Sequence, residues 1–169
     1  MEKNSSPTID AGACLVFNLD DHHFGLPLPI VLRVVPTVEV SPLPDAPPAF
    51  AGVIGIAGSI VPVVKARIRF HMPERAQRLA DKLIIARAAR RGAEASKARL
   101  VAIEVDGVVG VRDLSGQATF SADSILPGLE HLEGLAATDL GIVLIYDLAM
   151  FLSLDDERFL DAAGREGSE

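Results

Sequence analysis

Tryptophan is absent, cysteine occurs once, and aromatic residues make up only 5% of the 169-residue chain. The lone cysteine, Cys14, can close no intramolecular disulfide and can build no cysteine-rich metal site. Seven Phe and one Tyr are too few for the stacking platforms of single-stranded nucleic-acid binders. The four histidines, His22, His23, His71 and His131, stand at no useful spacing from a carboxylate. Positive charge is also short: 16 Lys and Arg against 23 Asp and Glu give a net charge of −7. That balance disfavours a phosphate backbone or an anionic membrane surface as partner.

Long apolar runs are missing too. Met1 to Pro7 is polar and lacks the apolar stretch of a signal peptide. No run approaches the ~20 residues that span a bilayer. The best candidate, Gly141 to Leu152, is interrupted by Asp147 and reads as a buried strand. The expectation is a soluble, cytoplasmic protein with no nucleic-acid partner and no direct membrane insertion.

What is present is a globular composition, 49% hydrophobic and 23% charged, on a chain long enough to bury a core without staples. After a frayed start over 1–12, Cys14 to Leu19 and Phe24 to Leu28 read as a β-hairpin around the polar turn Asp20-Asp21-His22-His23. Pro27 and Pro29 end the second strand early. Val31 to Val35 is a short strand with room for a helical turn before it. Five prolines between Pro36 and Pro48 then predict an extended crossing arm, anchored by Val38, Val40 and Leu43. Phe50 to Gly58 and Ser59 to Val64 form the next strand–turn–strand unit. Pro73 to Leu79 reads as a short helix, Lys82 to Ala86 and Arg99 to Val105 as a strand pair around a loop over 89–97, and Ser153 to Ala163 as a short C-terminal helix ended by Gly164.

One pattern occurs twice. Ala49 to Val64 is answered by His131 to Tyr146, with Gly52 matching Gly134 and Ile60 matching Ile142 at one offset (134 − 52 = 142 − 60 = 82). Each copy follows a hairpin in the chain, 14–28 in the first half and 82–105 in the second. Two β-rich units too small for a thick sandwich point to twin small barrels, which close their own edges.

Conventional active-site patterns are absent. Gly52, Gly55 and Gly58 mimic a phosphate loop, but no Gly-Lys-Ser/Thr or helix start follows. Asp20-Asp21-His22-His23 lies on a turn whose side chains diverge. Asp106, Asp113 and Asp147 are strand-end acids that serve as catalytic carboxylates only if a deep polar pocket joins two of them. Cys14 sits in an apolar strand and reads as a packed side chain. No catalytic residue, cofactor or metal ligand is assigned.

Leu15-Val-Phe-Asn-Leu19, Phe24-Gly-Leu-Pro-Leu28 and Val31-Leu-Arg-Val-Val-Pro36 together resemble the opening of the CheW-like domains of bacterial chemotaxis. The arm Pro42 to Pro48, the turn Gly52-Val-Ile-Gly-Ile-Ala-Gly58, Ile60-Val-Pro-Val-Val64, Leu100 to Asp106, Tyr146-Asp-Leu148 and the tail Phe151 to Ala163 are similar to the family's later segments. The resemblance covers about 13–163, leaving 164–169 as a tail. It implies a mainly β protein of two five-stranded SH3-like barrels side by side, the first roughly 24–80 with strand exchange at its ends and the second roughly 81–150. It implies a non-catalytic adaptor between chemoreceptor signalling tips (of methyl-accepting chemotaxis proteins) and the regulatory domain of a CheA-like histidine kinase.

The family's receptor groove, carried onto matching positions, falls on Val31, Arg33 and Val34, with Gly52, Ala57, Gly58 and Lys65 alongside. Two departures stand out. Ala57 occupies a position where the family usually has Arg, and Lys65 reverses the charge of the usual Asp. Two other readings remain open: a divergent scaffold in a non-chemotactic kinase pathway, and a small hydrolase or ligand-binding barrel using strand-end Asp residues. The basic stretch Arg87, Arg90, Arg91, Lys97 and Arg99 is either a solvated loop or a contact for an acidic partner.

Overall fold

The computed structural model describes residues 12–88, 98–121 and 132–148. Its strands are β1 (Ala13–Leu19), β2 (His22–Pro27), β3 (Val31–Pro36), β4 (Phe50–Ile56), β5 (Ser59–Lys65), β6 (Lys82–Ala88), β7 (Arg99–Val105), β8 (Gly107–Asp113), β9 (Ala118–Ser121), β10 (Leu132–Thr138) and β11 (Gly141–Tyr146). A 3-10 turn over Leu28–Ile30 precedes β3, and a one-turn helix α1 spans Ala66–Arg69. The expected C-terminal helix lies outside the described residues, as do Arg90, Arg91 and Lys97 of the basic stretch, whose Arg87 and Arg99 stand on β6 and β7.

The strands form two sheets, ordered β8-β1-β2-β11-β10-β9 and β3-β6-β7-β5-β4. Each sheet joins an ordinary hairpin to a bulged one through a parallel pair, β2 with β11 and β5 with β7. The bulges fall between Phe50 and Gly52 and between Leu132 and Gly134, so the internal echo is a repeated bulged hairpin. Each sheet also closes on itself. The chain leaving β3 on one edge bridges Ser41 to Val53 of β4 on the other edge. Only residues 114–117 separate β8 and β9, the two edges of the other sheet. Both arrangements bring the two edges of a sheet close together, in keeping with the expected SH3-like barrels.

The barrels do not divide near residue 80. The five-stranded barrel is the uninterrupted run β3 to β7, whereas the six-stranded one combines β1 and β2 with β8 to β11. Hairpin β1–β2 therefore completes the second copy of the echo, and hairpin β6–β7 completes the first. Local pattern could not choose between them, because both hairpins bury both faces. In β1, Cys14 and Val16 fill the six-stranded barrel while Leu15, Phe17 and Leu19 face outward into a shared core. In β6, Leu83 and Ile85 fill the five-stranded barrel while Ile84, Ala86 and Ala88 join that same shared core. Such continuous apolar runs mark strands covered on two sides. Removing the side chain of Ile84, fully buried in the shared core, costs about 2–5 kcal/mol.

The expected helix at 73–79 does not form. Glu74, Arg75 and Gln77 instead spend their side chains on Lys65, on Asp81 and Asp106, and on Thr37 and Val38. A seven-residue helix without an apolar face cannot compete with these tertiary contacts. In the proline arm, Val40 packs into the five-stranded barrel, but Val38 is 47% exposed and anchors nothing.

Candidate functional site

The residues proposed for a groove separate into two groups. Val31 pairs with Ala86 and Val34 with Ile84, and residues opposite each other share a face of the sheet. Ala86 and Ile84 belong to the shared core, so Val31 packs against its border and Val34, 37% exposed, stands just outside it. Arg33 is exposed on the same strand, after a bulge between Val31 and Arg33. The six-stranded barrel supplies matching positions that sequence reasoning missed. Val108 packs against the shared core, and Val111, opposite Leu15, is 55% exposed. Val109 and Leu32 are also exposed. The only signal for these residues was β-branched spacing, which a buried strand shares.

Ala57 and Gly58 form the two-residue tip of the β4–β5 hairpin, with φ of 49° and 82°. Two positive φ values in succession are the mark of a type I′ turn. Cross-strand register runs from Val63 to Ala102, Ile85 and Arg33, which puts this tip toward the Val31 end of the barrel. Gly52 has a different task. It is buried at the bulge with φ of 145°, and a Cβ there would run into the Ser41 carbonyl. Its lack of a side chain lets the arm cross β4, where Ser41 and Val53 exchange backbone hydrogen bonds at 2.9 and 2.8 Å.

Lys65 lies at the opposite end of β5 from the hairpin tip and pairs with Glu74. It borders an ionic cluster that joins the barrels. Arg67 on α1 reaches Asp20 in the β1–β2 turn at 2.5 Å and Asp106 at 2.6 Å. Arg75 reaches Asp106 at 2.5 Å and Asp81 at 2.7 Å, and the Asp20 N–H donates to Asp106 at 2.7 Å. Burial pushes the Asp106 carboxyl up, but Arg67, the Asp20 N–H and Arg75 outweigh it and hold its pKa below the usual range. Asp81 behaves alike: burial is outweighed by Arg75 and the Arg78 N–H. Glu104, on β7 opposite Lys65, is raised by burial and by Asp81. The hydrogen bonds to Asp106 and Asp20 hold the Arg67 guanidinium firmly charged.

Two of the strand-end acids, Asp106 and Asp113, border different clefts. Asp106 lines the cleft bounded by Lys65, Arg67, Glu74, Arg75, Asp81 and Glu104, whereas Asp113 borders a separate one near Leu114 and Thr138. Asp113 accepts from the Ser115 hydroxyl and N–H at 2.6 and 3.0 Å, bonds that lower its pKa and fix a turn. Burial pushes the Cys14 thiol up to about 11, aided by Glu133 and Asp113, so the thiolate nucleophile is disfavoured. Among the described residues no helix is long and apolar enough to cross a membrane.

The CheW-like domain model matches residues 13–156, most of the chain. The chain belongs to the CheW-like family. A solved structure, that of the scaffolding protein TtCheW from Thermoanaerobacter tengcongensis, superposes with a TM-score of 0.74 at 23% sequence identity. The match covers 86% of this chain and 94% of TtCheW. At that identity the likeness establishes the fold: mainly β, two sheets, in the CheW arrangement. This CheW-like chain therefore belongs to a family of chemotaxis scaffolds and adaptors.

Proposed function

We propose that this CheW-like protein is a non-catalytic cytoplasmic adaptor that couples the signalling tip of a methyl-accepting chemoreceptor to the regulatory domain of a CheA-like histidine kinase. The observation that carries the reading is the CheW-like match over residues 13–156; Val31 of one barrel and Val108 of the other pack against the same shared core, with Val34 and Val111 exposed on the same strands. A helical tip docks on an apolar margin of such residues by placing its own apolar stripe against it. Ala57 and Gly58 at the hairpin tip present little side chain, which lets a partner backbone come close. Transient coupling of this kind corresponds to a micromolar constant, about −8 kcal/mol.

Titration of the purified protein with a soluble receptor-tip fragment and with the kinase regulatory domain tests the assignment. Saturable binding to both is expected. No binding to either at hundreds of micromolar overturns it. A second reading, a CheW-like scaffold in a non-chemotactic kinase pathway, is favoured by Ala57, which replaces a planar fork of donors with a methyl group. In that case the kinase domain binds and the receptor tip does not.

A further inference from the structure

The segment between α1 and β6 carries no regular structure, yet its end is firmly built. Asp81 is 2% exposed and is gripped by two Arg75 nitrogens at 2.7 and 3.1 Å. Its carboxylate also accepts the Arg78 N–H at 2.8 Å, while its own N–H donates to the Arg78 carbonyl at 3.1 Å. The four residues 78–81 thus form a turn closed at both ends by one buried acid. At the apex stands Leu79, 97% exposed, the most exposed large apolar side chain among the described residues.

This turn is joined to the continuation of β3. The Thr37 N–H donates to the Asp81 carbonyl at 3.1 Å, and Gln77 donates to the Thr37 hydroxyl and the Val38 carbonyl. Val34 and Val38 on that continuation are 37% and 47% exposed. Exposed single apolar residues need no explanation, but three on hydrogen-bonded neighbouring segments make a margin. Its exposed charge includes one carboxylate, Glu39 beside Val38, and two guanidinium groups. Arg33 and Arg78 are exposed, and neither guanidinium has an ion-pair partner among the described residues, in a protein of net charge −7.

We infer that the receptor-binding margin proposed above extends past β3 to the Arg78–Asp81 turn, and that its occupant is an amphipathic helix carrying carboxylates at the end that meets Arg78. The inference rests on the adaptor reading and adds the length, polarity and charge of the partner helix. From Val31 to Val38 an extended chain spans about 23 Å. A helix covers that distance in about 15 residues, or four turns. Leu79 then packs against the last apolar position of the helix, and Arg78 meets its acids. Because the turn is closed by Asp81 in the free protein, little ordering accompanies binding.

The test is calorimetric titration of the full chain with a soluble receptor-tip fragment and, separately, with the kinase regulatory domain. The variants are Leu79→Ser, Arg78→Glu and Val34→Glu, with melting recorded for each. Leu79→Ser and Arg78→Glu are each expected to weaken receptor-tip binding about five- to tenfold with melting unchanged. Arg78→Glu is also expected to flatten the salt dependence of binding. Val34→Glu losing the receptor while both turn variants bind like wild type overturns the inference and leaves the adaptor reading intact. Wild-type protein that binds no receptor tip overturns both. Turn variants that lose only the kinase domain assign this margin to the other partner and overturn the helix assignment.

Discussion

Arg67 holds Asp106 through two nitrogens, Nε to one carboxylate oxygen at 3.2 Å and Nη2 to the other at 2.6 Å. Asp106 is the single residue between β7 and β8, where the chain passes from one barrel to the other. The same guanidinium also holds Asp20, in the turn of the six-stranded barrel's first hairpin. One arginine on a one-turn helix therefore fastens a crossover and a distant turn together. Residues of both barrels share one buried core, and this side-on pair joins their ends.

Arg67→Met should lower stability by about 3 kcal/mol, since it strands the partly buried Asp106 with only Arg75 as counter-charge. Adding Asp106→Asn to Arg67→Met should cost less than the two single losses combined, because the double variant leaves no orphaned carboxylate there. Urea unfolding of the four proteins measures this. Strict additivity would show that the pair is not coupled.

Acid should destabilise the protein through the same cluster. Asp106 and Asp81 have folded pKa values below the ordinary 3.8, so their contribution is present above that value and is lost as the pH falls through the lower folded values. Glu104 acts in the opposite sense. Its folded value is raised above the ordinary 4.5, so its contribution is present below that value and is lost as the pH rises through the folded one. The urea midpoint should fall as the pH is lowered below about 4, and less steeply in Asp106→Asn. An equally steep fall in that variant contradicts the assignment.

The two special backbone positions should respond in opposite directions. Ala57 has φ of 49°, where a Cβ is strained, and Ala57→Gly should stabilise by about 1 kcal/mol. Gly52→Ala should destabilise by more than that, because its Cβ meets the Ser41 backbone rather than a movable side chain. Thermal melts of both variants decide the matter. A melting temperature raised by Gly52→Ala would show that the arm can lift away freely.

Val34 and Val31 separate binding from folding. Val34→Glu should weaken receptor-tip binding about tenfold or more with little change in melting, since Val34 stands outside the shared core. Val31→Glu should lower melting as well, because Val31 packs against that core. Binding and melting curves on the two variants check the distinction. Equal melting losses would mean that β3 contributes only to the core.

Most strands are legible because their cause is local, but β8 and β9, with exposed residues and short apolar content, do not read as strands. The apolar runs at Cys14–Phe17 and Leu83–Ala86 read as strands, and the Gly52–Gly134 match reads as a repeat, which the structure shows to be the same bulge twice. The positions proposed for the groove do not share one environment. Val31 packs against the shared core and Arg33 and Val34 are exposed on the same strand, while Lys65 pairs with Glu74 and Gly52 lets the arm cross. A charge at Lys65 reads as a surface feature until its neighbour Glu74 is known, and a helix-forming composition at 73–79 says nothing of the carboxylates waiting for Arg75.

By itself the chain's pattern determined two β units around a repeated glycine-marked segment, because alternation, glycine and turn residues act over a few neighbouring positions. Only the tertiary structure decided which hairpin completes which barrel and which charges meet. Parallel pairs such as β2 with β11 and contacts such as Arg67 to Asp106 join residues far apart in the chain, and a two-faced apolar strand fits either sheet until the whole core closes around it.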